Sequence, residues 1–203
     1  KTGKILAIAS RPTFNPNVYD KSIAESRRNR AITDMYEPGS IFKIVTASTA
    51  LNEKLATSES TFNCENGAYR YLGSKVLHDV HPYGRLTLEE VLIKSSNIGI
   101  VKIGSLIKPD TLYHYMRQFG FGAPTGIDFP GEAPGVTHPP ARWSKTSLFN
   151  IPMGHEVMVT LLQMTSAMGT IANNGDLMQP YMVAKIEDQA GVALREKKPS
   201  VKR

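Results

Sequence analysis

Hydrophobic and polar positions change period several times along the chain. Ile5-Leu6-Ala7-Ile8-Ala9 is an unbroken apolar run, bounded by Gly3 before it and Arg11-Pro12 after it, and predicts a short buried strand. Residues 11–38 are rich in Pro, Asn, Arg and Ser and read as a loop. Pro38-Gly39 then punctuates the start of a helix over 40–54, with Ile41, Ile44, Val45, Ser48 and Leu51 on one stripe. Short aromatic and Gly-rich pieces follow, with a hairpin expected around Tyr69-Arg70-Tyr71. Thr87-Leu88-Glu89-Glu90 is a capping box and predicts a helix running to about Lys94. A second helix begins near Asn97 and carries Ile98, Val101, Ile103 and Leu106; a third runs from Pro109-Asp110 to Gly120. Residues 120–152 read as a long Gly/Pro-rich loop. The pattern then predicts a helix over 157–172, stopped by Asn173-Asn174-Gly175, a strand over 181–187, a turn, and a return strand from Val192. Strands at both ends and helices between them imply an α+β fold. Its antiparallel sheet would be built from both chain ends and packed against a mostly helical lobe, within one domain spanning 1–203.

Composition changes this picture little. With 203 residues, 41% hydrophobic and 21% charged, the chain can bury a sizeable core. No apolar run approaches the ~20 residues that span a bilayer, and no signal-peptide pattern opens the chain. Its first residue is not Met, which suggests a piece of something longer. The net charge is +6, but no basic stripe interleaves with aromatics, so a solvated surface is expected and no nucleic acid. Cys64 is the only cysteine, so no internal disulfide can form. His78-Asp79-Val80-His81 offers a metal pair without a third clear ligand and is read as polar loop. His155 is read as structural rather than as a general base.

Two short segments carry candidate chemistry. Ser40 and Lys43 stand three apart at a helix start and so share a face. A serine alcohol needs a base during attack, and Lys43 can be that base when burial or a nearby cation lowers its pKa. Ser40 also sits where helix amides have no intrahelical acceptor, which suits an oxyanion. The second segment is Ser95-Ser96-Asn97, between two helices. Ser95 could pass a proton between Lys43 and a leaving amine, while Asn97 holds a substrate amide and pins Lys43. Each segment alone has a plain alternative: an N-cap serine with a solvated lysine for the first, and a C-cap followed by an N-cap for the second.

Together the two segments resemble the penicillin-recognising serine acyltransferases. Glu37-Pro38-Gly39-Ser40-Ile41-Phe42-Lys43 is similar to the E-P-G-S-x-F-K string of class B penicillin-binding proteins. The resemblance covers nearly the whole chain. It extends to the segment from Thr2 to Ser10, to Phe119-Gly120-Phe121-Gly122, Thr125-Gly126-Ile127-Asp128 and Pro130-Gly131-Glu132, and to Gly154-His155 through Asn173-Asn174-Gly175. In that family the functional K-T-G follows the late helix. Here Lys1-Thr2-Gly3 precedes Ser40 and is read as a turn before the first strand. No other K-T-G occurs, so the resemblance implies a partial transpeptidase domain whose C-terminal part is missing.

What the resemblance implies is a D,D-transpeptidase that cross-links peptidoglycan stem peptides through an acyl-enzyme on Ser40, with Lys43, Ser95 and Asn97 completing the catalytic set. It implies no metal and no organic cofactor. Its partners would be D-Ala-D-Ala stem peptides, β-lactams and, through a longer parent, other cell-wall synthesis proteins. Its place would be the outer face of the bacterial cytoplasmic membrane, with the parent anchored. Two alternatives stand beside it: a serine β-lactamase, for which the loop after Asn97 lacks a convincing E-x-x-N, and a non-catalytic β-lactam sensor or scaffold.

Overall fold

The computed structural model describes residues 1–203. In chain order its helices are α1 (Arg30–Thr33), α2 (Lys43–Asn52), α3 (Leu88–Ile93), α4 (Asn97–Gly104), α5 (Pro109–Gln118), α6 (Ser147–Asn150) and α7 (Leu161–Ala172). Its strands are β1 (Thr61–Asn63), β2 (Ala68–Tyr71), β3 (Lys75–His78), β4 (Arg85–Thr87), β5 (Lys185–Glu187) and β6 (Ala193–Glu196). They form three two-stranded antiparallel sheets, β1 with β4, β2 with β3, and β5 with β6. Mixed helix with small antiparallel sheets is the α+β class that the pattern implied. No helix is long and apolar enough to cross a membrane. The chain packs as two compact units, one of residues 1–36, 119–135 and 159–203, the other of 37–118 and 136–158.

In the first unit, the chain's two ends meet. Tyr181 N–H donates to Gly3 O at 3.0 Å and Ile5 N–H donates to Tyr181 O at 2.9 Å, a parallel bridge centred on Lys4. The apolar run from Ile5 goes no further as a strand, and Leu6 is 89% exposed. The next rung of a parallel ladder would use the Val183 N–H. That group donates instead to Asp128 Oδ2 at 2.9 Å, beside Met182 N–H on Oδ1 at 2.6 Å, so the pairing stops. Lys1-Thr2-Gly3, expected as a turn, is irregular backbone in which Thr2 Oγ1 accepts the Lys4 N–H at 3.2 Å; Gly3 is left-handed (φ +79°), and a Cβ there would stand 2.2 Å from Gln179 O. Ile32, Ile127 and Leu162 form the buried cluster of this unit, with Ile5, Ile8 and Met182 packed on it. Helix α7 begins at Leu161 rather than Val157, because Val159 exchanges both backbone hydrogen bonds with Tyr36. A capping box, Thr160 with Gln163, then starts the helix.

The second unit is built on α2. A 3₁₀ turn, Gly39–Phe42, precedes this helix. The expected stripe is displaced: Ile41 and Leu51 are 48% and 40% exposed, while Phe42, Val45, Thr46, Thr49 and Ala50 are fully buried. The buried hydroxyls are satisfied, Thr46 by Pro152 O and Thr49 by Val45 O, so small polar residues pack here at no unpaired cost. Helix α4 packs on α2 and α3 and buries Ile98, Ile100, Val101 and Ile103. The Thr87–Glu90 box is present in both directions, with Glu90 N–H on Thr87 Oγ1 and Thr87 N–H on Glu90 Oε2. The expected hairpin is β2–β3, with Tyr69 opposite Leu77.

Candidate active site

All the chemistry singled out in the sequence falls within the second unit. Pro38 and a left-handed Gly39 (φ +56°) turn the chain into the 3₁₀ segment. Ser40 is exposed on that segment, and its carbonyl accepts the Lys43 N–H. Lys43 opens α2 and is 2% exposed. The tight 3₁₀ turn feeds Lys43 inward, where a lysine three residues into a surface helix would ordinarily reach water.

The inward side is shaped by the chain reversal between α3 and α4. Helix α3 ends in a Schellman arrangement: Ser96 N–H donates to Val91 O at 3.0 Å, and Ser95 N–H donates to Leu92 O at 3.2 Å. The left-handed position of that arrangement is Ser95, φ +54°. The next residue, Ser96, is the N-cap of α4, and its Oγ accepts the Gly99 N–H at 2.8 Å. Two caps thus stand back to back, and they aim three acceptors at one point. Lys43 Nζ donates to Ser95 O at 2.6 Å, Ser95 Oγ at 3.0 Å and Asn97 Oδ1 at 2.8 Å. An ammonium has three hydrogens, and these bonds use all of them. Asn97 is held at its other end too, Nδ2 donating to His78 O at 3.3 Å.

The structure therefore joins Lys43, Ser95 and Asn97 directly. Ser40 lies on the adjoining turn, and none of the three Lys43 bonds goes to its hydroxyl. Burial pushes the Lys43 amine down from 10.5 to about 8, and the Asp79 carboxylate opposes that fall.

Asp79, which the sequence reading left in a polar loop, holds the segment that grips Lys43. Its Oδ1 accepts the Asn97 N–H at 2.5 Å and the Ile98 N–H at 3.0 Å, and its Oδ2 accepts the Ser96 hydroxyl at 2.6 Å. It is a cap for α4 delivered from another segment, where a carboxylate also meets the positive end of the helix. A signal existed: an α4 starting at Asn97 leaves several orphan amides, and the Ser96 hydroxyl can serve only one. His78 and His81 are not drawn into a metal site with it; no three His, Cys, Asp or Glu side chains gather to hold an ion. Cys64 is buried beside Ser96, its Sγ 3.4 Å from Ser96 Oγ.

Comparison with known proteins gives the family. The chain matches the penicillin binding protein transpeptidase domain family over residues 1–203. It is 33% identical over 178 residues to the probable peptidoglycan D,D-transpeptidase PenA of Neisseria flavescens, covering 88% of this chain and 44% of that protein. It is 35% identical over 186 residues to the peptidoglycan D,D-transpeptidase FtsI of Escherichia coli, covering 92% of this chain and 31% of that protein. The chain thus spans less than half the length of these relatives. Among solved structures, the apo transpeptidase domain of Burkholderia pseudomallei penicillin-binding protein 3 superposes with a TM-score of 0.81 at 30% identity, over 100% of this chain and 54% of that one. Penicillin-binding protein 3 of Mycobacterium tuberculosis, solved with aztreonam, gives 0.76 at 32% identity, over 85% and 38%. The chain belongs to the transpeptidase family of the penicillin-binding proteins, of the class B kind.

Proposed function

We propose that this chain carries the nucleophile half of a D,D-transpeptidase site acting on peptidoglycan stem peptides at the outer face of the cytoplasmic membrane. The observation that supports this most is Lys43: an amine buried at a helix start, lowered to about 8, and gripped by Ser95 and Asn97. About one Lys43 in ten is neutral at pH 7 with such a pKa. The neutral amine has a lone pair and one donor fewer, so one of its three acceptors is released and the amine can turn toward Ser40. Ser40 Oγ attacks the carbonyl between two terminal D-alanines, and its proton passes to Lys43 Nζ. The tetrahedral oxyanion gains from the Ser40 amide at the start of the helical segment, where the dipole favours negative charge. Ser95 Oγ relays a proton from Lys43 to the departing D-alanine amine as the C–N bond breaks. An acyl ester remains on Ser40. An amine from a neighbouring stem then attacks the ester, the cross-link forms and Ser40 regains its proton. A β-lactam fits the same cycle up to the ester, since its amide carbonyl is presented like that of D-Ala-D-Ala. None of these steps requires a metal or an organic cofactor.

Labelling with a fluorescent penicillin tests the reading. The label is expected on Ser40, to be lost in Ser40→Ala, and to form about tenfold faster per pH unit up to about pH 8 before levelling. A rate that is flat between pH 6 and 8 excludes Lys43 as the base. Steady penicillin hydrolysis would favour the β-lactamase alternative. A full-length parent that is acylated yet cross-links no stem peptide would favour a sensor or scaffold.

A further inference from the structure

Glu37 and His155 are the parts of the family-like strings to which the acyl-transfer scheme gives no task, and the fold brings them together. Glu37 Oε2 lies 3.0 Å from His155 Nδ1, and Glu37 Oε1 accepts the Glu156 backbone N–H at 2.8 Å. One carboxylate, three residues before Ser40, thus bridges two successive residues of the 154–156 turn. These two partners hold the Glu37 carboxyl below the usual carboxylate range.

The two turns also touch through their main chains. Gly39 N–H donates to Gly154 O at 3.0 Å. Gly154 is left-handed, φ +88°, and a Cβ there would stand 2.3 Å from Gly39 O and 2.6 Å from Phe42 Cβ. The far side of the turn is anchored as well. Glu156 is itself left-handed, φ +60°. Its side chain accepts from Ser147 Oγ at 2.5 Å and from Asn150 Nδ2 at 2.7 Å, both on α6. His155 N–H donates to Asn150 O at 3.1 Å. The chain of contacts runs from α6 through the 154–156 turn to Glu37, and so to the turn that carries Ser40.

An exposed Glu–His pair contributes little to stability, but its position here gives it another use. No Lys43 bond holds the Ser40 hydroxyl, so the backbone turn sets where that oxygen stands. In acyl transfer, a misplacement of about 1 Å costs on the order of 100-fold in rate.

We propose that Glu37 is a positioning residue for acyl transfer: by bridging the Glu156 amide and the His155 ring, it locks the turn that presents Ser40. The proposal rests on Ser40 being the nucleophile. His155, with Nδ1 committed to Glu37, is a support for that lock and not a proton carrier.

The test compares Glu37→Ala and Glu37→Gln with the unsubstituted protein, in the full chain as the cell makes it, by two readouts. The first is amide hydrogen exchange of peptides covering 37–42 and 153–157. The second is stopped-flow acylation by a fluorescent penicillin, in which the saturation curve resolves the acylation step and the binding step separately. In Glu37→Ala, exchange in both turns is expected to quicken about tenfold while α4 and α5 stay unchanged. The acylation step should slow roughly 10- to 100-fold, with binding within about threefold. Glu37→Gln keeps an oxygen for the Glu156 amide and should hold acylation within about fivefold of the unsubstituted protein. Unchanged exchange in the two turns overturns the proposal. So does acylation of Glu37→Ala within twofold of the unsubstituted protein, or a Glu37→Gln as slow as Glu37→Ala. If Glu37→Ala does not fold, His155→Ala decides in its place: faster exchange in both turns with slower acylation supports the lock, and no change in either refutes it. An unsubstituted protein that takes no penicillin would sink the nucleophile reading, while the exchange arm still decides whether the lock exists.

Discussion

The burial that makes Lys43 a candidate base also makes it a burden on the fold, and the two effects share one number. The amine is 2% exposed and lowered from 10.5 to about 8. A pKa unit corresponds to about 1.4 kcal/mol, so the shift amounts to roughly 3 kcal/mol against the charged folded form. Below about pH 8 both folded and unfolded lysine are protonated, and the full penalty applies. Between about 8 and 10.5 the unfolded chain still holds a proton that the folded chain has released. Unfolding then takes up a proton, and raising the pH favours the folded state. Above 10.5 both forms are neutral and the penalty is gone. The perturbation is Lys43→Met, which keeps an unbranched side chain one atom shorter and removes the titration. Urea unfolding can be followed by Trp143, the only tryptophan, which lies in the same unit and donates from Nε1 to His138 O at 2.7 Å. The quantity to plot is the stability of the unsubstituted protein minus that of the variant, against pH. Other titrating groups cancel in that difference, and the lost Lys43 hydrogen bonds shift it up or down without tilting it. It should be level below about pH 7 and climb by roughly 3 kcal/mol across pH 8 to 10.5. A difference that stays level through pH 10 would falsify the depressed pKa, and with it the case for Lys43 as a base at neutral pH.

Asp79→Ala strips the acceptor from two α4 amides and the Ser96 hydroxyl and should cost about 2–3 kcal/mol in a urea titration. The near-isosteric Asp79→Asn should recover most of that, yet both variants should acylate with a midpoint below about pH 8, because the charge that opposes the Lys43 shift is gone. In Ser95→Gly, relief of a left-handed serine is worth about 1 kcal/mol and the lost Lys43 bond costs about as much. Stability should therefore stay within about 1 kcal/mol of the unsubstituted protein while penicillin acylation slows at least tenfold. Unimpaired acylation would remove the hydroxyl from the proton path.

What the sequence disclosed follows the range of the interactions. Thr87 and Glu90 are three apart, so their reciprocal caps can be read from the string alone. Thr160 and Gln163 make the same motif, hidden because the apolar run starts earlier, at Val157, while the chain pairs with Tyr36 as late as Val159. The spacing of Ser40 and Lys43 is likewise local. That Lys43 turns inward is not local, for its acceptors lie 52 and 54 positions away. Neither periodicity nor propensity bears on such a distance; the family-like strings did. Asp79, 17 residues from Ser96, left only the indirect trace of uncapped amides. The Ile5–Ala9 run reads as a buried strand because apolar continuity usually means two covered faces. Its ladder ends on a carboxylate, Asp128, that no local pattern associates with it.

The plain and the chemical readings of Ser95-Ser96-Asn97 turn out to be one arrangement. A Schellman cap needs a left-handed residue, and glycine would fill that place with least strain. Any residue there would offer Lys43 its backbone carbonyl; a serine accepts the strain in return for one further oxygen, its hydroxyl, which stands 3.0 Å from the same amine. The N-cap that follows would hold α4 loosely with one hydroxyl. Asp79 adds a second grip and so fixes the direction from which Asn97 reaches Lys43. That grip sets a limit on the chemistry as well. A carboxylate placed to orient the loop also favours the charged amine, and so works against the burial that frees the amine's lone pair for use. A value near 8 is what remains when a geometric need and an electrostatic one are met by the same residue. Glu37, which takes a backbone N–H group on the other turn, stands outside the groups that shift Lys43. The turn that carries Ser40 can therefore be locked without any change at Lys43, whereas the loop that holds Lys43 cannot.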